Sequence, residues 1–184
     1  LGAAEDGALD PIGEYAQSRL GGERVASYAA RVCGTSLLIA RLFYATELRY
    51  GIIHDIAWKV WSGEPIDLEM GYVNQIWQGD ANGYLCRFFP LCQSPAAVIN
   101  LTGPEVLSVR ALAEELGRLL DREPRFAGAE APDALLGDAR RLCAEFGAPA
   151  TRTGQMLRWM ADWVRRDGRS LGKPTKYESR SGQF

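Results

Sequence analysis

The chain has 184 residues, 47% of them hydrophobic and 24% charged, with a formal net charge of −2. That composition describes one folded domain of ordinary size and excludes a disordered or fibrous chain. The basic residues are scattered, and their densest cluster (Arg165, Arg166 and Arg169) falls at a predicted helix end, so nothing pulls the chain toward nucleic acid or an anionic membrane surface. No apolar run reaches the ~18 residues of a membrane span, and the opening residues do not read as a signal peptide.

The chain opens on leucine, and LGAAEDGALDP reads as a loop, which leads us to expect that the natural start lies upstream. Pro11 and Gly13 precede a helical pattern over 14–30, which Gly34 stops. TSLLIARLFYA, residues 35–45, is a nearly continuous apolar run and predicts a strand buried on both faces. A second helix reads from 51 to 61, ends at Ser62-Gly63 and is blocked by Pro65. IDLEMGYVNQIW alternates as one or two strands, and Asp80 reads as the N-cap of a helix over 81–89. AAVINLTG is a further short buried strand. Ser108 caps a predicted helix over 109–120, whose stripe of Leu112, Leu116, Leu119 and Leu120 is the clearest amphipathic signal in the chain. PRFAG reads as a short strand. Helices are expected near 133–146, closing on Phe146-Gly147, and near 153–166, and the polar tail from Lys173 is expected to be loosely held. Strands alternate with helices throughout, so the class is α/β, without repeats or an internal domain boundary.

Four cysteines (Cys33, Cys86, Cys92, Cys143) form no C-x-x-C pair and lie in apolar stretches. They read as buried free thiols, which favours a reducing, cytoplasmic compartment.

The pattern that carries chemistry is DPIGEYAQSR. It sets Tyr15 and Arg19 one turn apart on one helix face. A cation there favours the phenolate, and a tyrosine tuned in this way moves a proton on or off a hydroxyl or carbonyl. By itself the spacing describes an ordinary surface or core pair. The surrounding words extend it. TSLLIARLFYA, Gly79-Asp80-Ala81, INLTGPEVLSVRALAEELGRLL, DARRLCAEFG and MLRWMADWV follow in order over roughly residues 10–166. Together they resemble the extended short-chain dehydrogenase/reductases, specifically the NAD-dependent epimerase/dehydratase family, whose hallmark is Tyr-x-x-x-Lys.

The resemblance implies a partial Rossmann-like, doubly wound parallel sheet plus a smaller C-terminal substrate-binding region. Residues 1–50 would end the dinucleotide-binding fold with the tyrosine helix, and 51–184 would form most of the substrate region. It implies Tyr15 as acid/base and Arg19 in place of the lysine that tunes it and holds the ribose. It also implies Phe43 and Tyr44 beside the cofactor, Arg41 and Tyr44 toward the substrate, NAD or NADP as cofactor, and a homodimer through the tyrosine helix. Three departures stand out. Arginine replaces lysine, and its planar fork is aimed differently. Phe43 and Tyr44 stand where an asparagine is usual. No glycine-rich phosphate-binding turn occurs, and no serine or threonine precedes Tyr15.

The expected function is therefore the back half of an NAD(P)-dependent epimerase/dehydratase or reductase acting on a nucleotide sugar or similar small molecule. The fragment alone is expected to be inactive. The alternative from another class is a truncated, non-catalytic remnant or interaction protein with the same partial fold, and a catalytically degenerate NAD sensor is a third reading. The remaining polar and aromatic candidates read as structural. His54, the lone histidine, reads as a packing or surface residue of a helix. Trp58, Trp61 and Trp77 fit a core. Asn100 and Thr102 suit a strand-end turn as well as a ligand, and Arg41 suits either a phosphate clamp or a strand-end ion pair. Acidic residues are too dispersed, and histidine too scarce, for a metal site. A parallel sheet without its first strands is expected to be marginally stable.

Overall fold

The computed structural model describes residues 2–179. Helix α1 (Gly13–Cys33) leads into β1 (Leu38–Leu42), which lies parallel to β6 (Ala97–Leu101) in register from Leu38↔Ala97 to Leu42↔Leu101. Between them run β2 (Ala45–Thr46), α2 (Ile52–Ser62), β3 (Pro65–Asp67), β4 (Tyr72–Val73), β5 (Ile76–Trp77) and α3 (Gln78–Arg87). After β6 come β7 (Leu107–Ser108), α4 (Val109–Leu120), β8 (Arg125–Ala127), α5 (Arg140–Phe146) and α6 (Thr153–Arg165). β2 pairs with β5 and β3 with β8, both parallel, while β4 and β7 pair antiparallel. The far edge of β1 meets no strand among the described residues.

The larger core lies among α2, α4 and α6. Ile52, Ile53, Ile56, Ala57 and Val60 recur at helical spacing along α2. They meet Val109, Leu112, Ala113, Leu116 and Leu120 of α4 and Met156, Leu157, Met160, Ala161 and Val164 of α6. Each fully buried aliphatic chain contributes about 1.5–3 kcal/mol of burial, which makes this packing the main source of cohesion. Local chemistry agrees with it. The Ser108 hydroxyl accepts the Ala111 N–H at 3.2 Å, as the sequence predicts for the start of α4. Gly51, at φ +124°, stands where a Cβ would collide with Thr46. A smaller core joins Ile76, Ala81, Tyr84, Phe88, Ile99, Leu101 and Leu142 beneath β1 and β6.

Several expectations need correction. β1 is half-buried with Leu42 exposed, not buried on both faces, because α1 packs loosely over it and its outer edge is bare. The 66–77 segment forms three very short strands that pair with three different partners. α3 starts before Asp80, and Asp80 is not its cap. Its carboxylate instead accepts the Thr151 N–H at 2.8 Å from the first turn, where the helix dipole favours a negative charge. The helix expected over 133–146 begins only at Arg140. Upstream, the Gly137 N–H goes to Asn74 and the Asp138 N–H to Ala3, which removes them from any helical ladder. The cysteines are free, but Cys33 and Cys86 are exposed and Cys92 and Cys143 half-buried, since α1 and α3 turn those positions outward. The tail is held as far as it is described. Tyr177 is 1% exposed within the larger core, and residues 180–184 lie outside the described residues.

Candidate active site

Tyr15 and Arg19 lie on the first two turns of α1. The entry is fixed by Gln17, whose side-chain amide donates to the Pro11 carbonyl at 3.0 Å. Tyr15 is 58% exposed, and the Arg19 guanidinium carbon lies 6.0 Å from its ring centroid, so the charge reaches the ring face across one turn. None of the 21 residues of α1 is buried. Ala16, Leu20, Glu23, Ser27 and Ala30 are half-covered, on the face turned to the rest of the chain, while Tyr15, Val25, Tyr28 and Val32 are exposed.

Arg41 at the end of β1 is engaged within the chain. Its Nε and Nη2 donate to Glu23 of α1 at 2.9–3.2 Å, and Nη1 donates to the Glu5 carbonyl at 3.0 Å. Of the two arrangements the sequence leaves open, the structure displays the ion pair. Glu23 lies eight residues beyond Tyr15, roughly 12 Å along the helix axis, so Arg41 and Tyr15 are not brought together. Phe43 lies against Gly137, where a Cβ would fall 2.5 Å from its ring. The Tyr44 carbonyl accepts the Ile76 N–H at 2.9 Å, and its half-buried ring packs on the larger core. Burial, then the negative charge of Glu178, push the Tyr44 hydroxyl above its ordinary value of 10.0, so it is a proton donor at neutral pH.

Behind this segment runs a row of buried polar side chains that the sequence reading largely missed: Thr46, Asn74, Gln75, Asn100 and Thr102. Asn74 donates to the carbonyls of Gly103 (3.3 Å) and Gly137 (2.6 Å) and accepts the Gly137 N–H at 3.2 Å. Asn100 donates to the carbonyls of Ala3 (2.8 Å) and Asp138 (3.2 Å), while its own N–H goes to the Glu5 carboxylate. These amides fasten the opening segment and the 136–138 turn to the end of β6. Polar residues inside apolar strand words were the only signal available for them. Thr46 donates to the Gln75 amide oxygen. The Gln75 amide nitrogen and the Thr102 hydroxyl make no hydrogen bond among the described residues.

No group of three metal-ligating side chains occurs among the described residues, and no helix there is long and apolar enough to cross a membrane. His54 is buried and meets Asp55 at 3.3 Å and the Trp58 ring, in line with a packing role. A surface groove between Trp61, Arg122, Pro124 and Arg125 includes none of Tyr15, Arg19, Arg41, Phe43 or Tyr44.

No protein-family model matches the chain, and no curated protein matches it either. Solved structures do. UDP-glucuronic acid 4-epimerase from Bacillus cereus, in complex with NAD, matches with a TM-score of 0.75 at 15% identity, over 90% of this chain and 56% of that one. dTDP-glucose 4,6-dehydratase from Streptomyces venezuelae, with NAD and TYD bound, matches at 0.72 and 17%, over 91% and 55%. UDP-glucose 4-epimerase from Thermotoga maritima, with UDP-glucose, matches at 0.73 and 14%, over 90% and 57%. At these identities the likeness is one of fold: the chain folds as part of a Rossmann-like epimerase/dehydratase structure. It spans little more than half the length of the structures it matches.

Proposed function

We propose that this chain is the back part of an NAD(P)-dependent epimerase, dehydratase or reductase acting on a nucleotide sugar or a similar hydroxyl or carbonyl compound, with Tyr15 as its acid/base. The observation that carries the reading is the exposed Tyr15–Arg19 pair, one turn apart on α1, in a chain nine-tenths of which follows the fold of such enzymes. In this reading residues 1–50 close the dinucleotide-binding fold and residues 51–184 form most of the substrate region.

The roles follow from the side chains. Tyr15 takes the proton from a substrate hydroxyl, or returns it to a carbonyl, with the Arg19 guanidinium 6.0 Å from its ring centroid. The residues present fit only the nicotinamide-ribose end of the cofactor. Tyr15 is 58% exposed beside Arg19, and the sequence holds no glycine-rich turn to seat a pyrophosphate. When bound, the dinucleotide supplies the hydride acceptor. Phe43 and Tyr44 flank the reacting groups, Tyr44 as a protonated donor. Arg41 reaches a substrate phosphate only by giving up Glu23, so its resting role is to brace β1 against α1. The open face of α1 also serves a homodimer contact.

A second reading has an observation of its own. The apolar residues Tyr15, Val25, Tyr28, Val32 and Leu42 lie exposed on one stretch of chain, as they would on a non-catalytic protein that binds a partner there. Calorimetric titration of NAD into the 184-residue chain and into a form extended upstream separates the two. Binding by the extended form alone supports the enzyme. Binding by the short form overturns the placement of the cofactor site, and binding by neither leaves the interaction protein.

A further inference from the structure

The C-terminal segment makes a set of contacts that the proposed reaction does not use. After α6 the chain returns to the segment that follows β1. The Leu171 N–H donates to the Arg49 carbonyl at 3.0 Å. Four residues on, both the N–H and the hydroxyl of Thr175 donate to one oxygen of Asp55, at 2.6 Å each, on the first turn of α2. Tyr177 is 1% exposed and lies in the larger core. Glu178 pairs with Lys59 at 3.5 Å, farther along α2, and its charge raises the pKa of Tyr44. The contacts thus fall on Arg49, inside residues 43–50, and on Asp55 and Lys59 of α2, just beyond them.

We propose that residues 171–179 form a strap that positions the 43–50 segment, with the Thr175–Asp55 clasp as its fastening and Thr175 and Asp55 as positioning residues. A segment of this kind needs such help. β2 is only two residues long, and Glu47 and Tyr50 close a turn on their own backbones, at 2.9 and 3.4 Å. Few local bonds hold it, so tertiary contacts decide how it sits. Two charge-assisted hydrogen bonds converging on one carboxylate oxygen are strong enough to hold the strap closed. The proposal builds on the functional reading only in calling the positioned segment part of a site; the mechanical claim stands without it.

The test is amide hydrogen exchange on the full chain, compared among the unchanged protein, Thr175→Val, Thr175→Ser and Asp55→Asn, well below the melting temperature. Under the proposal, Thr175→Val and Asp55→Asn speed exchange at residues 43–50 by about tenfold, leave the α4 amides unchanged, and Thr175→Ser restores the protection. Exchange at 43–50 that does not change while the strap itself opens overturns the proposal. So does equal acceleration in α4, which would report general loosening. In the upstream-extended form, opening the strap raises KM, for a nucleotide sugar that the form turns over, more than it lowers kcat. The exchange readout uses neither NAD nor a sugar nucleotide, so its failure and the failure of the functional reading are distinguishable.

Discussion

Helices α1 and α2 follow one another in the chain, with β1 and β2 between them, and differ in almost every physical respect. α1 is 21 residues long and buries none of them, whereas α2 is 11 long and buries six. α2 closes a three-helix core with α4 and α6. α1 is held by half-covered small residues and the Arg41–Glu23 pair, and its open face carries Val25 at 69% exposure. The three-helix core therefore explains its own stability, while α1 presents apolar surface that nothing among the described residues covers. The proposed acid/base, Tyr15, is on the uncovered helix. If Tyr15 acts as proposed, substitutions in α1 should affect activity and substitutions in the three-helix core should affect stability.

The largest effect should be one on activity without one on stability. In the upstream-extended form, Tyr15→Phe should lower by about a thousandfold the turnover of a nucleotide sugar that the form turns over, while leaving the melting temperature in place, because Tyr15 is 58% exposed. A melting point that falls with the activity would break the separation. Next, Leu116→Ala should destabilise by about 3 kcal/mol in a urea titration, since Leu116 is fully buried between helices. Asn74→Ala should cost about 2 kcal/mol, because the lost amide leaves the Gly103 and Gly137 carbonyls short of a buried donor. At the other end of the scale, Val25→Ala should stay within about 0.5 kcal/mol, and a larger loss would show that α1 is covered in solution.

A pH comparison sharpens the picture at the junction. The Arg140 side chain, then its backbone N–H, hold the Asp138 carboxyl below its ordinary value of 3.8. A carboxyl with a depressed folded-state pKa contributes stability above its unfolded value and loses it as pH falls through the folded one. Urea midpoints of the unchanged protein and Asp138→Asn should therefore differ at neutral pH and converge as the pH falls below 3.8. A constant difference would mean that Asp138 acts by shape alone.

Much of the fold was legible because its signals are local and periodic. The leucine stripe and Ser108 mark α4, Gly34 and Gly63 stop α1 and α2 in the left-handed conformation, and the apolar words locate β1 and β6. The failures have a common cause. The helix expected from residue 133 is displaced because Asn74 and Ala3, far away in sequence, take its backbone groups. The tail reads as loose from its polarity, yet one tyrosine inside it reaches the core. The site divides in the same manner. The Tyr15–Arg19 spacing is visible at i and i+4, whereas the engagement of Arg41 by Glu23 and the buried amide row involve partners 18 to 97 residues apart, and no local pattern announces them.

The sequence by itself determined the α/β class, nearly all the helices, the two strands of the main parallel pair and the one helix face on which a tyrosine and a cation meet. These depend on backbone propensity and on spacings of two and 3.6 residues, which a chain carries wherever it folds. Only the tertiary structure decided that α1 stays uncovered, that Arg41 is spent on Glu23, that Asn100 fastens the chain's opening segment and Asn74 the turn at Gly137, and that the tail returns to clasp Asp55. Each of these depends on which distant groups satisfy a buried donor, acceptor or apolar face, and that is settled only when the whole chain competes for the same partners.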